Sequence, residues 1–417
     1  MPATAAATIS EPASTPTAAY RALLSAFSVL TVAFSFGLFS LPVFYPALVA
    51  QFHWTRAQAA GGGSIVLLLI GILGPLSGKL TDRTSPRAVL LGGMAIGAIA
   101  LALLAGARSL GQFYLLCAIL GVGCAASSLV PTSMLIGPWF SGKRGLAVGV
   151  INAGVGVGGF LAPNLTRFLI QHRGISGAFY GLALCLAVPF LVTLALAPKA
   201  AARQRSRGDE PTRIRPAEIV RIPGFWLFGL ALLFSAHTLT GIQQHLALYL
   251  TGQGAPVARA AFALSVLLGA SAFGKLIGGW LADLYSARTS LMLSVVCLVV
   301  GVGGLLTVNP HAAAVYACAA AFGLGYGGVF NAPPLIAFEF FGTDGVGLIL
   351  GLFMLFFGLG TSSGGLVAGY LADAAHSYGR AFAWDLASSL IGLGLLALAR
   401  RGLMRHRSAA PGSGLQL

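Results

Sequence analysis

From about residue 22 the chain alternates between long apolar stretches and short polar interruptions. The apolar runs occupy roughly 22–50, 58–80, 88–107, 111–137, 145–168 and 176–198. After a polar break they resume at 223–250, 258–282, 290–308, 313–338, 345–370 and 381–399. Each is near or above the ~20 residues that a helix needs to cross a hydrocarbon core. The pattern predicts an all-α membrane protein with twelve transmembrane helices. Lys199–Arg221 is the one long polar interruption, and it divides the spans into two sets of six. The expected organisation is a disordered tail over 1–19, a six-helix bundle over 20–198, a linker over 199–222, a second bundle over 223–400 and a tail over 401–417. The first nineteen residues are rich in Ala, Thr, Ser and Pro and hold no basic residue, unlike the positively charged start of a signal peptide.

Composition agrees. Of 417 residues, 57% are hydrophobic and 8% charged, with a mean hydropathy of +0.87, where a soluble domain carries about 25% charged residues. The net charge of +15 is therefore a matter of topology rather than of nucleic-acid binding. With a cytoplasmic N-terminus, the basic residues on the inner side are Arg21, Lys79, Arg83, Arg87, Lys143, Arg144, seven from Lys199 to Arg221, Arg288 and four from Arg400 onward. Outside lie Arg56, Arg108, Arg167, Arg173, Arg259 and Arg380. Eighteen against six places both termini in the cytoplasm of a multi-pass protein of the inner membrane. The linker's charge suits either plain orientation or contact with an anionic leaflet. Five cysteines fall inside apolar runs without metal-ligand spacing and read as buried free thiols. No cofactor is implied.

The two halves repeat each other. Gly78-Lys79-Leu80-Thr81-Asp82-Arg83, with Arg87 beyond, matches Gly279 to Asp283 with Arg288 at an offset of 201. Gly121-Val122-Gly123 with Pro131 matches Gly323-Leu324-Gly325 with Pro333 at 202. Gly145, Gly149, Gly154 and Gly158 in one half are echoed by Gly347, Gly351, Gly360 and Gly364 in the other, and such spacing lets helix backbones approach closely. These residues resemble the major facilitator superfamily, whose GxLxDRxxxR loop is met by Gly78, Leu80, Asp82, Arg83 and Arg87. The resemblance implies the major facilitator fold, two six-helix pseudo-repeats around a central site, working by alternating access. It also implies gating by this loop and its copy, with Asp82 near a helix N-terminus and Arg87 across from it latching the cytoplasmic side shut. Within that superfamily the chain is similar to the monocarboxylate transporter and oxalate–formate antiporter branch. The stretches that carry this are Phe52-His53-Trp54-Thr55-Arg56-Ala57, Trp139-Phe140, Lys143-Arg144-Gly145-Leu146-Ala147-Val148-Gly149, Gln244-His245-Leu246-Ala247-Leu248-Tyr249-Leu250 and Gly323-Leu324-Gly325-Tyr326-Gly327-Gly328.

One residue breaks the apolar pattern. Lys275 lies eight residues before Asp283, about 12 Å into the core at ~1.5 Å per residue, deeper than snorkelling can relieve. A central charge costs about 2.5–3.5 kcal/mol on insertion scales. Its first-half equivalent is Gly74, so the charge belongs to one half only. Either it holds a substrate or it bonds a neighbouring helix, and the first reading is favoured. In the branch this helix resembles, an acid and an arginine sit four apart. Those positions read Ser271 and Lys275 here, which implies a lysine holding a substrate carboxylate as a point charge and removes the acid that would carry a coupled proton. Either Lys275 itself carries the proton, shed from an empty site and regained beside a bound anion, or one anion exchanges for another.

Further candidates are neutral. Asn152, Tyr326 and Asn331 lie on expected cavity-lining spans, although Asn331 beside Pro333-Pro334 equally suits a helix kink. Gln244 and His245 sit together in span seven, with His237 seven residues before Gln244 as a packing residue. Tyr45 suits a cavity wall or the interface. Asp385 is expected at the periplasmic end of span twelve as an interfacial residue, and Glu339 and Asp344 beside a cytoplasmic turn. Among Phe353, Phe356 and Phe357, one or two can floor the site. No GxxxxGK[ST], HExxH or CxxC is present, so neither ATP-driven transport nor an enzyme is indicated. The expected function is secondary transport of a small, monocarboxylate-like organic anion by a monomer in the lipid bilayer, with a proton or a counter-anion as the second partner. A non-transporting ligand sensor is the rival from another class.

Overall fold

The computed structural model describes residues 16–54, 56–140, 142–198, 221–309, 312–342, 346–375 and 377–399. Every regular element among them is a helix. The first half comprises α1 (Pro16–Phe52), α2 (Arg56–Arg83), α3 (Pro86–Leu104), α4 (Leu110–Trp139), α5 (144–173) and α6 (175–196). The second comprises α7 (Pro223–Gly252), α8 (Val257–Leu284), α9 (Ala287–Thr307), α10 (Ala314–Phe341), α11 (Val346–Ala375) and α12 (Tyr378–Leu398). Helix α1 reaches back to Pro16, into the stretch expected to be tail. Most of that tail (1–15), nearly all of the linker (199–220), Asp344 and the C-terminal stretch from Arg400 lie outside the described residues.

Ten runs are long and apolar enough to cross a bilayer, and α2 makes an eleventh when the two arms of its 49° bend are taken together. The bend falls beside Pro75, which withdraws a backbone N–H and crowds the preceding turn. One of the ten, the 53-residue run Arg144–Leu196, is a hairpin. Gly174 leaves helical geometry at φ 68°, and Gly181 lies against Leu169, two positions that a straight helix would hold about 18 Å apart. Among the described residues this makes twelve crossings.

The sequence repeat is also a repeat of local structure. Ser85 caps α3 by accepting the Ala88 amide, and Ser286, 201 positions later, caps α9 by accepting the Thr289 amide. Lipid chains give apolar helices no reason to prefer one another, so association rests on close backbone contact. The halves meet along α2 with α11 and along α5 with α8, and glycine makes both approaches possible. A Cβ on Gly78 would overlap the Gly347 carbonyl, and one on Gly347 would strike Gly78 in turn. Gly145 and Gly279 form the matching pair across α5 and α8. Two contacts related by the internal repeat thus clamp one end of the molecule.

Candidate functional site

The clamped end carries the α2–α3 and α8–α9 turns and is here termed the latch face. Asp283, at the end of α8, takes the backbone amides of Gly145 and Leu146 at 2.6 and 2.8 Å. Asp82, at the end of α2, takes those of Gly347 and Leu348, both at 3.1 Å. The first turn of a helix has amides without intrahelical acceptors and a partial positive charge, so a carboxylate suits it on both counts. Each aspartate therefore ties its own half to a helix start in the other half.

The arginines of the same loops do something else. Arg87 was expected opposite Asp82, but its Nη2 donates to the Leu194 carbonyl at 2.6 Å, in the last turn of α6. Arg288 reaches the Leu396 and Ala397 carbonyls at the end of α12, at 3.1 and 3.4 Å. Unpaired carbonyls at a helix C-terminus attract a cation for the same reason that amides at an N-terminus attract an anion. Arg83 is exposed and has no hydrogen-bond or ion-pair partner among the described residues. Glu339 accepts the Ala287 amide at the start of α9, which makes it a cap. Arg144 lies 5.9 Å from the centre of the Phe338 ring, a contact between α5 and α10.

Deeper in, α5, α8 and α10 converge on Lys275. Gly149 of α5 packs onto the Lys275 carbonyl, and Gly327 of α10 onto the Ser271 carbonyl. Lys275 is 5% exposed. Its Nζ stands 5.1 Å from the centre of the Phe330 ring, within range of a cation–π contact, and next to Gly156 of α5. Among the described residues it has no carboxylate partner and no hydrogen-bond acceptor. Tyr326 lies one turn from Phe330 with its ring nearly parallel, and Phe357 of α11 meets Phe330 edge-on at 5.5 Å. Ser271 spends its hydroxyl on the Leu268 carbonyl at 2.7 Å.

Asn152 and Asn331 are fully buried and occupied with each other. Asn331 Nδ2 donates to the Lys275 carbonyl, which can only accept. Its Oδ1 is thereby left to accept from Asn152 Nδ2 at 2.8 Å. The pair bridges the halves beside Lys275 rather than facing an open cavity. Three other candidates lie elsewhere. Tyr45 points its hydroxyl at Gly63 of α2, within the first half. Gln244 packs on Gly365 of α11, and His245 Nε2 pairs with the Gly365 carbonyl at 3.0 Å beside the Tyr378 ring.

The sequence reading missed one group and misplaced another. Phe330, under the ammonium, was signalled only by its one-turn spacing from Tyr326. Asp385 was expected at the membrane interface, but α12 starts at Tyr378, three residues earlier than anticipated. The carboxylate therefore lies about two turns inside, fully buried, with Gly241 of α7 against it and His237 at 3.7 Å.

The sequence model of the Major Facilitator Superfamily matches residues 27–365 and, again, 254–414. The chain belongs to the major facilitator superfamily. Among curated relatives, this major facilitator is 28% identical over 385 residues to Monocarboxylate transporter 13 of Bos taurus, covering 90% of this chain and 88% of that one. It is 25% identical over 337 residues to the uncharacterized MFS-type transporter YhjX of Escherichia coli (strain K12), with 78% and 81% covered. Of solved structures, the proton:xylose symporter XylE bound to 6-bromo-6-deoxy-D-glucose superposes with a TM-score of 0.75 at 12% identity, over 91% of this chain and 95% of that one. FucP in its outward conformation gives 0.69 at 17% identity, over 92% and 98%. At these identities the structures speak for the fold alone. The major facilitator described here is a multi-pass membrane transporter with relatives among the monocarboxylate transporters, and it is not an enzyme.

Proposed function

We propose that this transporter carries a small organic anion of monocarboxylate type across the inner membrane by alternating access, with Lys275 as the anion's charge partner. The observation that carries the reading is the ammonium itself. It is almost wholly buried where α5 of one half meets α8 and α10 of the other, and no described carboxylate neutralises it. A buried charge left without a counter-ion is costly, and an anionic substrate would supply one. Tyr326 and Phe357 beside Phe330 add a hydroxyl and an apolar wall suited to the rest of a small carboxylic acid. The names of the monocarboxylate transporter relatives point the same way. In this reading both termini are cytoplasmic, the latch face is the cytoplasmic one, and the structure is the state closed on that side. The protein works as a monomer in the bilayer, and a proton accompanies the anion.

Exchange of one anion for another is the second reading, favoured by Ser271 standing where an acid would sit beside Lys275. Counterflow in proteoliposomes, with a panel of mono- and dicarboxylates and with or without a pH gradient, separates the two. Symport gives accumulation driven by the gradient, whereas exchange needs anion on both sides. Uptake by Lys275→Ala at the wild-type rate would remove the lysine from the mechanism. Binding without uptake would make the chain a sensor.

A further inference from the structure

We infer that Asp385 and His237 form a proton-binding site in the second half, apart from Lys275. Its place in the transport cycle, though not its existence, rests on the anion-symport reading above.

Asp385 is fully buried on α12, and neither carboxylate oxygen has a hydrogen-bond donor among the described residues. Two neighbouring hydroxyls are committed elsewhere. Thr238 donates to the Asp385 backbone carbonyl at 2.9 Å, and Ser389 donates to Thr238 at 3.0 Å. On the facing helix, His237 has its tautomer set by its partners. Ser363 gives its proton to the Gly360 carbonyl at 2.9 Å, so the 2.9 Å contact between Ser363 Oγ and His237 Nδ1 requires the ring N–H to be on Nδ1. Nε2 is then an acceptor, as the Trp384 indole N–H bonding to it at 3.1 Å also requires. Nε2 and Asp385 Oδ1 lie 3.7 Å apart. The one lone pair of Nε2 is turned to Trp384 and its N–H lies on Nδ1, so His237 has nothing to donate to Asp385, and a proton held there sits on the carboxylate.

Other titratable side chains on the elements packed against α12 do not compete for it. Among the described side chains, α7 also carries His245 and Tyr249, α9 carries Arg288 and Cys297, and α11 carries Tyr370. Among the described residues none of these bonds to the carboxylate. His245 is turned to Gly365, Tyr249 to the Leu305 carbonyl and Arg288 to the end of α12. An ionised Asp385 here would be a buried charge with neither a cation nor a donor, and such a group takes up a proton instead. Binding forms an O–H bond from a carboxylate lone pair and a proton from the aqueous phase, taking the site from minus one to neutral. Release returns the proton to water on the face that has opened. For a monovalent anion, the proton and its passenger cross with no net charge moved.

Helix α11 is common to this cluster and the lysine site. It brings Phe357 to Phe330 and, six residues on, Ser363 to His237, about 9 Å along the helix. Its first turn carries the two amides held by Asp82.

The test is infrared difference spectroscopy on the full-length protein reconstituted in lipid, titrated with acid and base, paired with proton and anion fluxes in the same vesicles. The expected result is a carboxylic-acid carbonyl band that titrates in the wild type, is lost in Asp385→Asn and has a shifted midpoint in His237→Gln. Asp385→Asn keeps the side-chain shape, and it is expected to retain anion counterflow while losing the accompanying proton and gradient-driven accumulation. A wild-type protein without such a band, or an Asp385→Asn variant that keeps it, would overturn the site whether or not any variant folds. Loss of the band with an unchanged proton-to-anion ratio would overturn its role in coupling. Lys275→Ala uptake at the wild-type rate would instead sink the anion reading and leave the proton site to the spectroscopy.

Discussion

Asp82 and Asp283, 201 positions apart in one chain, perform the same act on opposite halves: each seats its carboxylate on two amides in the first turn of a helix belonging to the other half. The loop repeat is thereby a pair of crossed latches, and the arginines that accompany it brace α6 and α12 within their own halves.

Neutralising the latches should loosen the closed state in steps. Both carboxylates stand at an exposed face, where a charge at a helix end is worth about 0.3–1 kcal/mol and is screened by salt. Asp283→Asn is expected to speed amide exchange at Gly145 and Leu146, and Asp82→Asn at Gly347 and Leu348, each by up to about fivefold. The double variant should exceed either. Exchange read by mass spectrometry at these two helix starts checks it, and unchanged rates in both would deny the latch.

The glycine clamp makes a sharper demand. A methyl group on Gly145 would sit on the Gly279 carbonyl, whereas Gly92 on α3 has nothing within 4 Å of the same position. Gly145→Ala is expected to wedge α5 from α8, lowering stability by about 1–3 kcal/mol or driving the population away from the latched state. Gly92→Ala, in open space mid-helix, should be neutral or slightly stabilising. Thermal unfolding in detergent and transport rates should rank the two in that order.

Much of this was legible in the chain because the bilayer is a strict solvent. It demands apolar runs of a set length, so twelve spans could be counted, and it penalises charge, so Lys275 stood out. The glycine and aspartate offsets marked the latch because close approach and helix-end charge need those residue types. What the sequence could not supply was direction across an element. Arg87 was paired with its neighbour in the motif, although the open carbonyls of α6 were the stronger claim. Asn152 and Asn331 looked like cavity liners because nothing in a single helix reveals that two amides on separate spans will meet. Asp385 was misplaced by a helix start only three residues out, enough to turn a fully buried acid into a supposed interfacial one.

The ring beneath the ammonium supports a finer prediction. Phe330→Leu keeps the apolar volume approximately and removes the π face, an interaction worth about 0.5–1 kcal/mol at exposed sites and up to ~2 when desolvated. With Lys275 intact, anion affinity should change by about two- to thirtyfold while maximal transport stays within a few-fold. Lys275→Arg should retain part of the activity, since the charge persists but the planar guanidinium does not fit a point-charge site. Saturation curves in proteoliposomes distinguish the pair: the phenylalanine change acts on half-saturation, and the lysine change acts on both constants.

The bridge from Asn152 through Asn331 to the Lys275 carbonyl predicts non-additivity. Removing Asn331 costs the Lys275 carbonyl its side-chain donor and leaves the Asn152 amide without a partner, and removing Asn152 leaves Asn331 Oδ1 without its donor. Each single alanine change therefore carries the cost of an orphaned polar group as well as that of the lost bond. The double change removes both amides, so neither is left as an orphan. Coupling energies between polar groups on membrane helices average about 0.6 kcal/mol and reach about 1.7, so the Asn152→Ala, Asn331→Ala cycle should close with a deficit in that range. Additive effects would mean that the two amides act independently. A deficit would show that contact between the halves beside the lysine is set by hydrogen bonding, so that moving the halves requires these two side chains to part.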